Sequence, residues 1–319
     1  MPGIPVTMPS STYMASSIIV LVNAKSGVDD KRNCRAELEE LLALERVEAE
    51  VRVFQRGEEL LGEARRAVSE GCRVLVAAGG DGTVSGVASV VAGTDTVLGV
   101  LPMGTLNHFA KDLGIPLAAK DAVRNLVDGR TVQVDVGEVN GRTFVNNSGV
   151  GLYPSLVRER EQEQRLGKRK WSAFLVAMWT MLGRYPMIHV ELKADELRTT
   201  RRTPLVFIGN NSYEIHGLKI GTRARLDEGK LSVYLTRDVG RWRLFVFAFR
   251  ALLGTLREAE DFDTLETETL SLRTRGRHVH VAADGEVVLL ESPLEYRIRP
   301  AALKVVVPQE ATKGQVPTV

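Results

Sequence analysis

The stretch VLVAAGGDGTVSGVASVV, residues 74–91, sets the tightest limit on what this chain can fold into. It opens on a continuous apolar run, as expected of a strand buried on both faces. It closes on a helical pattern over SGVASVVAG, and between the two lies Gly79-Gly80-Asp81-Gly82-Thr83. Three glycines let the backbone adopt positive φ and approach a ligand with no Cβ in the way. The helix start beyond them offers free N–H groups and the positive end of a dipole, a combination that suits phosphate. The spacing is not a Walker A loop, since no Gly-Lys-Ser/Thr follows, and it is not GxGxxG. A bare GG or DG reads as an ordinary β–α turn. All five residues between a strand and a helix favour a phosphate-facing loop.

The same grammar surrounds this unit. Residues 17–22 (SIIVLV) predict a strand, followed by the polar turn NAKSG and a helix through ELEELLALERV. VEAEVRVF reads as a strand, GEELLGEARRAVSEG as a helix and TVLGVLP as a strand. A run of β-turn-α units predicts a parallel sheet with helices on both sides, and ligands beyond the carboxyl ends of its strands. Two further strand ends therefore converge on the glycine loop. One carries Asn23, Ser26 and Gly27; the other carries Gly104, Thr105 and Asn107. Each sets a glycine beside small polar groups, as a phosphate or adenosine pocket requires.

After about residue 130 the pattern changes. VQVDVGEV alternates with period two, and Asn140–Gly141 reads as a hairpin turn into RTFVNN. More period-two segments follow, separated by turns such as Asp227-Glu228-Gly229 and Asp284-Gly285. This half is expected to be mostly antiparallel β, with helices near 155–184 and 240–256. The predicted organisation is an α/β domain over 1–135, a β-rich domain over 136–308 and a mobile tail over 309–319.

The 319 residues suffice for two domains, and 44% hydrophobic with 26% charged residues argues against wholesale disorder. A net charge of +2 gives no reason to expect a nucleic-acid partner. Cys34 and Cys72 alone make neither a disulfide framework nor a metal spacing, which suits a reducing, cytoplasmic setting. The first residues lack the basic and apolar regions of a signal peptide, and no apolar stretch approaches the roughly 20 residues of a membrane span. His278 and His280 share one face of a strand, a pattern that fits a solvated face better than a metal pair. Trp171, Phe174, Leu175, Met178, Trp179 and Leu182 form one apolar helical stripe after the basic segment RLGKRK. That stripe of 171–182 either packs on the core or meets an anionic membrane surface as an interfacial helix.

Taken together, NAKSG, GGDGT and LPMGTLNHFAKDLGIP resemble the diacylglycerol kinase catalytic-domain family, including its bacterial lipid-kinase members and the sphingosine kinases. The resemblance continues through FVNNSGVG at 144–151, ARLDEGKLSV at 224–233 and AADGE at 282–286, and so spans roughly residues 17–307. It implies an α/β nucleotide domain, a β-sandwich domain and an active site between them. It further implies ATP and Mg²⁺ as cofactors and a lipid acceptor at a membrane surface. By the resemblance, residues 79–83, Asn23, Ser26, Gly27, Gly104, Thr105 and Asn107 hold the nucleotide. Asp284 is the implied general base, with Asp81 and its acidic neighbour Glu286 also catalytic. Asp227 and Glu228 stand where relatives hold a structural magnesium. There relatives usually carry two aspartates, and His108 likewise replaces a usual Asp. Two other readings of the glycine loop are an NAD kinase-like phosphotransferase and a silent nucleotide- or lipid-binding module. Nothing here resembles the second NAD-kinase motif.

Overall fold

The computed structural model describes residues 18–24, 31–151, 187–194, 197–216, 219–223, 225–236 and 262–309. The first half alternates strand and helix: β1 (Ile18–Asn23), α1 (Lys31–Leu44), β2 (Glu50–Phe54), α2 (Gly57–Ser69), β3 (Val74–Gly79), α3 (Asp81–Val91) and β4 (Val97–Pro102). The short helices α4 (His108–Asp112) and α5 (Ala119–Asp128) follow. Strands β1 to β4 pair in parallel in the order β2-β1-β3-β4. Their apolar runs are buried because helices cover both faces. One face packs Ile19, Leu21, Leu75 and Ala77 against α2 and α3, and the other packs Val20, Val22 and Val76 against α1 and α5.

The second half is built from β5 (Arg130–Val139), β6 (Arg142–Phe144), β7 (Asn147–Gly151), β8 (Ile188–Ala194), β9 (Leu197–Thr203) and β10 (Leu205–Asn210). A small hairpin of β11 (Glu214–His216) and β12 (Lys219–Thr222) precedes β13 (Leu231–Thr236) and β14 (Phe262–Thr267). The chain ends on β15 (Thr269–Thr274), β16 (His278–Ala283), β17 (Glu286–Glu291) and β18 (Leu294–Val307). Six of these strands form an antiparallel sheet in the order β14-β13-β10-β7-β16-β17. It packs on β18, β15 and β8 around Val150, Ile208, Val233, Val281, Leu192, Leu272 and Tyr296, a β-sandwich core.

The two halves share one sheet. Strand β18 pairs antiparallel with β5 along both halves of its length, and its C-terminal part also lies parallel to β4 at Val305↔Leu98. The parallel sheet thus runs on into the sandwich as a single ten-stranded sheet. Pro300 interrupts β18, and the strand absorbs it as a register shift between Arg299 and Leu303 with Ala301 at φ 51°. The buried Asp135 pins this bulge: its Oδ1 accepts the Ala301 N–H at 2.8 Å, and its Oδ2 accepts the Gly229 N–H at 2.7 Å.

Among the described residues no helix is long and apolar enough to cross a membrane. The helices expected near 155–184 and 240–256, the stripe of 171–182, residues 25–30 with Ser26 and Gly27, and the end of the tail lie outside the described residues.

Candidate active site

The second and third predicted loops meet at the carboxyl ends of β3 and β4, and of the first loop Asn23 reaches them. Asn23, at the end of β1, donates from Nδ2 to Thr83 Oγ1 at 2.9 Å. The glycine loop and the third loop touch backbone to backbone: a Cβ on Gly104 would come within 2.6 Å of the Gly80 Cα and 2.8 Å of Asn107 Oδ1. No side chain could yield there, so the approach depends on glycine. A Cβ on Gly79 would likewise meet Thr83 Oγ1 at 2.6 Å. Asn107 closes the third loop on itself, accepting the Gly104 N–H at 3.0 Å and donating to the Gly104 carbonyl at 2.8 Å. Thr105 stays exposed beside it.

Asp81 opens α3, with Gly80 as an N-cap that has no side chain to fill the helix end. Its carboxylate points to the third loop. Oδ2 accepts the Asn107 N–H at 2.9 Å and Oδ1 accepts the His108 N–H at 2.7 Å, at the N-terminus of α4. An anion there satisfies amide groups that α4 leaves free. In this geometry Asp81 holds the glycine loop to the third loop. His108 contributes its backbone N–H to that contact, whichever side chain it carries.

One turn along α3, Ser85 lines a cleft of about 450 Å³ between the halves. Gly82, Ser85 and Arg65 line one wall; Arg142, Asp284 and Glu286 line the other. Asp284 sits in the β16–β17 turn at φ 47°. Its carboxylate is held by three successive backbone donors, Val145 N–H at 2.7 Å, Asn146 N–H at 2.8 Å and Asn147 N–H at 3.1 Å. The fourth donor is the Ser85 hydroxyl. Burial pushes the Asp284 pKa up, against these hydrogen bonds, which pull it down. Glu286 is exposed and paired with Arg142 at 2.7 Å, so it faces the mouth of the cleft.

The structure does not bring Asp227 and Glu228 to this cleft as a cation site. The Arg225 guanidinium grips both Asp227 oxygens, at 3.0 and 3.1 Å, and Glu228 accepts the Ser212 N–H at 3.2 Å. Among the described residues no group of three or more His, Cys, Asp or Glu side chains is placed to hold a metal ion, and that includes His278 and His280. Two adjacent carboxylates are the number a magnesium ion takes together with water, and here Arg225 holds one of them.

Sequence reasoning missed the residue at the centre of the interface. Arg223 is fully buried. It donates to Asp112 Oδ2 at 2.8 Å, to the Val145 carbonyl at 2.7 Å, to the Asn210 carbonyl at 3.2 Å and to Asn146 Oδ1 at 2.9 Å. Its guanidinium lies 5.4 Å from the centre of the Tyr213 ring. A lone Arg in GTRAR carries no periodic or motif signal; only the fold shows that it meets Asp112.

The comparisons agree with this geometry. Residues 17–139 match the model of the diacylglycerol kinase catalytic domain, and residues 149–307 that of the YegS C-terminal NAD kinase beta sandwich-like domain. A protein of Pseudomonas savastanoi pv. phaseolicola named a probable YegS-like lipid kinase is 30% identical over 264 residues, covering 78% of this chain and 82% of that one. A diacylglycerol kinase of Mycobacterium tuberculosis is 29% identical over 251 residues, covering 76% and 79%. The crystal structure of a diacylglycerol kinase from Bacillus anthracis Sterne shares the fold, with a TM-score of 0.70 at 20% identity over 92% of this chain and 97% of that one. With the loops converged, the sandwich in place and relatives matched along most of its length, the chain belongs to the diacylglycerol kinase catalytic-domain family, in its lipid-kinase-like branch.

Proposed function

We propose that this protein transfers the terminal phosphate of Mg·ATP to a hydroxyl group of a diacylglycerol-like or sphingoid-like lipid. One observation carries the reading. Asp284 lies in the cleft with a hydroxyl, that of Ser85, already on its Oδ2, and Ser85 stands one turn beyond the glycine loop on α3. A carboxylate touching a hydroxyl beside a phosphate-type helix start is what phosphoryl transfer to an alcohol needs, since the chemistry is largely positioning and charge neutralisation.

In this reading residues 79–83, Asn23 and the loop through Gly104, Thr105 and Asn107 orient the phosphates. Asp81 keeps those loops together. The acceptor hydroxyl takes the place that Ser85 occupies on Asp284, and Asp284 accepts its proton as the oxygen attacks phosphorus. Burial raises the proton affinity of Asp284, which suits a base. Magnesium, when bound with the nucleotide, would neutralise phosphate charge. Names of lipid and diacylglycerol kinase among the relatives support the lipid acceptor.

The test is transfer of labelled γ-phosphate to diacylglycerol or sphingosine in vesicles, with NAD as a parallel acceptor. Label in lipid alone is the expected result. Label in NAD would favour an NAD kinase, and nucleotide binding with no transfer would favour a silent module.

A further inference from the structure

The outer face of the sandwich carries a corner of arginines without anionic partners. Val190 and Leu192 of β8, and Leu270 and Leu272 of β15, point into the core. Their alternates therefore face outward. Cross-strand register sets Arg202 opposite His189, Arg201 opposite Val190 and Arg273 opposite Glu191, while Arg275 stands one residue past the Thr274↔Val190 pair. Strands lie about 4.8 Å apart, so Arg202, His189 and Arg275 fall within about 10 Å. Arg202, Arg273 and Arg275 share this outer face, with Arg201 on the other side of edge strand β9; all four are exposed and have no ion-pair partner among the described residues.

Two of the acids nearby are already paired, Glu191 with Arg198 at 3.3 Å and Glu291 with Arg277 at 2.9 Å, while Glu295 keeps its charge and accepts the Ser271 hydroxyl at 2.7 Å. The corner is therefore a local cationic surface on a chain whose net charge is only +2.

Its position relates it to the cleft. Strand β17 runs from Glu286, beside Asp284, to Glu291, whose partner is Arg277 at the arginine corner. That is roughly 17 Å, the length of one strand. On the way Leu289 is 57% exposed and Leu290 lines the cleft.

We propose that this corner, with Arg202, Arg273 and Arg275 at its centre, docks on the anionic headgroups of a phospholipid surface and sets β17 as the path along which a lipid reaches the cleft. The choice of occupant rests on the lipid-kinase reading together with charge complementarity. Each arginine held near an anionic bilayer strengthens binding by about 1 kcal/mol, or about fivefold, so three give about 10²-fold.

The experiment compares the full chain with the variant Arg202→Ala/Arg273→Ala/Arg275→Ala. Sedimentation with vesicles of phosphatidylcholine alone, or with one third phosphatidylglycerol, reads docking. Phosphorylation of a short-chain, water-soluble diacylglycerol reads catalysis away from a surface. The parent is expected to prefer anionic vesicles and to lose that preference in high salt. The variant is expected to bind them about 10²-fold more weakly while its turnover of soluble diacylglycerol is unchanged.

Binding by the variant within threefold of the parent overturns the proposal. So does equal binding of the parent to both vesicle types, or a parent that retards nucleic acid and ignores vesicles. If the variant instead self-associates with vesicle binding intact, the arginines guard the edge strand β9 against pairing, and the docking role fails. A parent that docks on anionic vesicles but phosphorylates no soluble diacylglycerol keeps the docking face and overturns the kinase reading.

Discussion

Arg223 and Asp112 form a buried ion pair, Nε to Oδ2 at 2.8 Å and Nη2 to Oδ2 at 2.7 Å, that joins the second half of the chain to α4, the helix that follows the 104–107 loop. The pair closes a circuit. Asp81 holds the start of α4, and Asp112 at its end holds Arg223. Arg223 holds Val145 and Asn146, whose N–H groups hold Asp284, and Asp284 holds Ser85, one turn from Asp81 on α3. Each link is a hydrogen bond to a charged group, the strong kind, so the glycine loop, the 104–107 loop and the cleft carboxylate share one hydrogen-bonded frame.

The first expectation tests that frame. Arg223→Met leaves the Asp112 carboxylate buried and unpaired, which typically costs 3–5 kcal/mol. Adding Asp112→Leu removes the stranded charge and should recover much of the loss. Denaturant unfolding of both variants measures it. Additive losses in the double variant would mean that the two residues act separately.

A second expectation concerns loop contact. Gly104→Ala sets a methyl 2.6 Å from the Gly80 Cα, backbone against backbone, so the loops must part. ATP affinity should fall at least tenfold with the fold intact. Gly82→Ala is the control for stability, because a Cβ there meets nothing within 4 Å. Unchanged ATP binding in Gly104→Ala, by titration, would separate the third loop from the nucleotide.

Much of this site was legible because local sequence dictates it. Buried parallel strands read as unbroken apolar runs, and their glycine-rich ends mark where a ligand can approach. Asp284-Gly285 was visible as a turn, and the resemblance singled out its carboxylate. What stayed hidden depends on pairing across long separations. Arg223 and Asp112 are 111 residues apart, and nothing local distinguishes either from a surface charge. Pro300 broke the apparent strand LEYRIR from AALKVVV, so the return of β18 to the parallel sheet did not show. Helix α5 has no counterpart among the elements read from sequence, since ten residues offer fewer than three turns of apolar spacing. Strand β9, LRTTRRT, lacks alternation because its edge faces solvent.

The third expectation is a pH dependence. Asp284 must be ionised to take a proton, and burial raises its pKa above that of an ordinary aspartate. Turnover should therefore fall as pH drops through that raised value, earlier than for an ordinary aspartate. The Ser85 hydroxyl favours the ionised form in the free enzyme, so Ser85→Ala should push the pKa further up there and move the acid limb of kcat/KM to higher pH. The stability sign is opposite to that of a salt-bridged acid: a raised folded pKa makes this group's contribution largest at low pH, with loss as pH rises. An acid limb that does not move in Ser85→Ala would mean that the rate reports another group.

The last expectation concerns the base itself. Asp284→Asn keeps the shape and removes the charge. General-base assistance is typically worth about 10²–10⁴ in rate, so kcat should fall by about that factor. ATP affinity should survive, because the loops at 79–83 and 104–107 are held together by Asp81, to which Asp284 makes no hydrogen bond. A complication follows from the four donors around this carboxylate. An asparagine presents one acceptor and one N–H₂ to the same nest, so one backbone donor there loses its partner at roughly 1–3 kcal/mol. Stability and rate must therefore be read together, and Asp81→Asn gives the contrast. Asp81 also accepts two backbone N–H groups, so its variant suffers a similar structural loss, but it should weaken ATP binding and spare the single-turnover rate at saturating ATP. If the two variants show the same kinetic signature, the nest and not the charge of Asp284 governs turnover. If Asp284→Asn turns over lipid within about threefold of the parent, well inside the general-base range, the proton goes elsewhere.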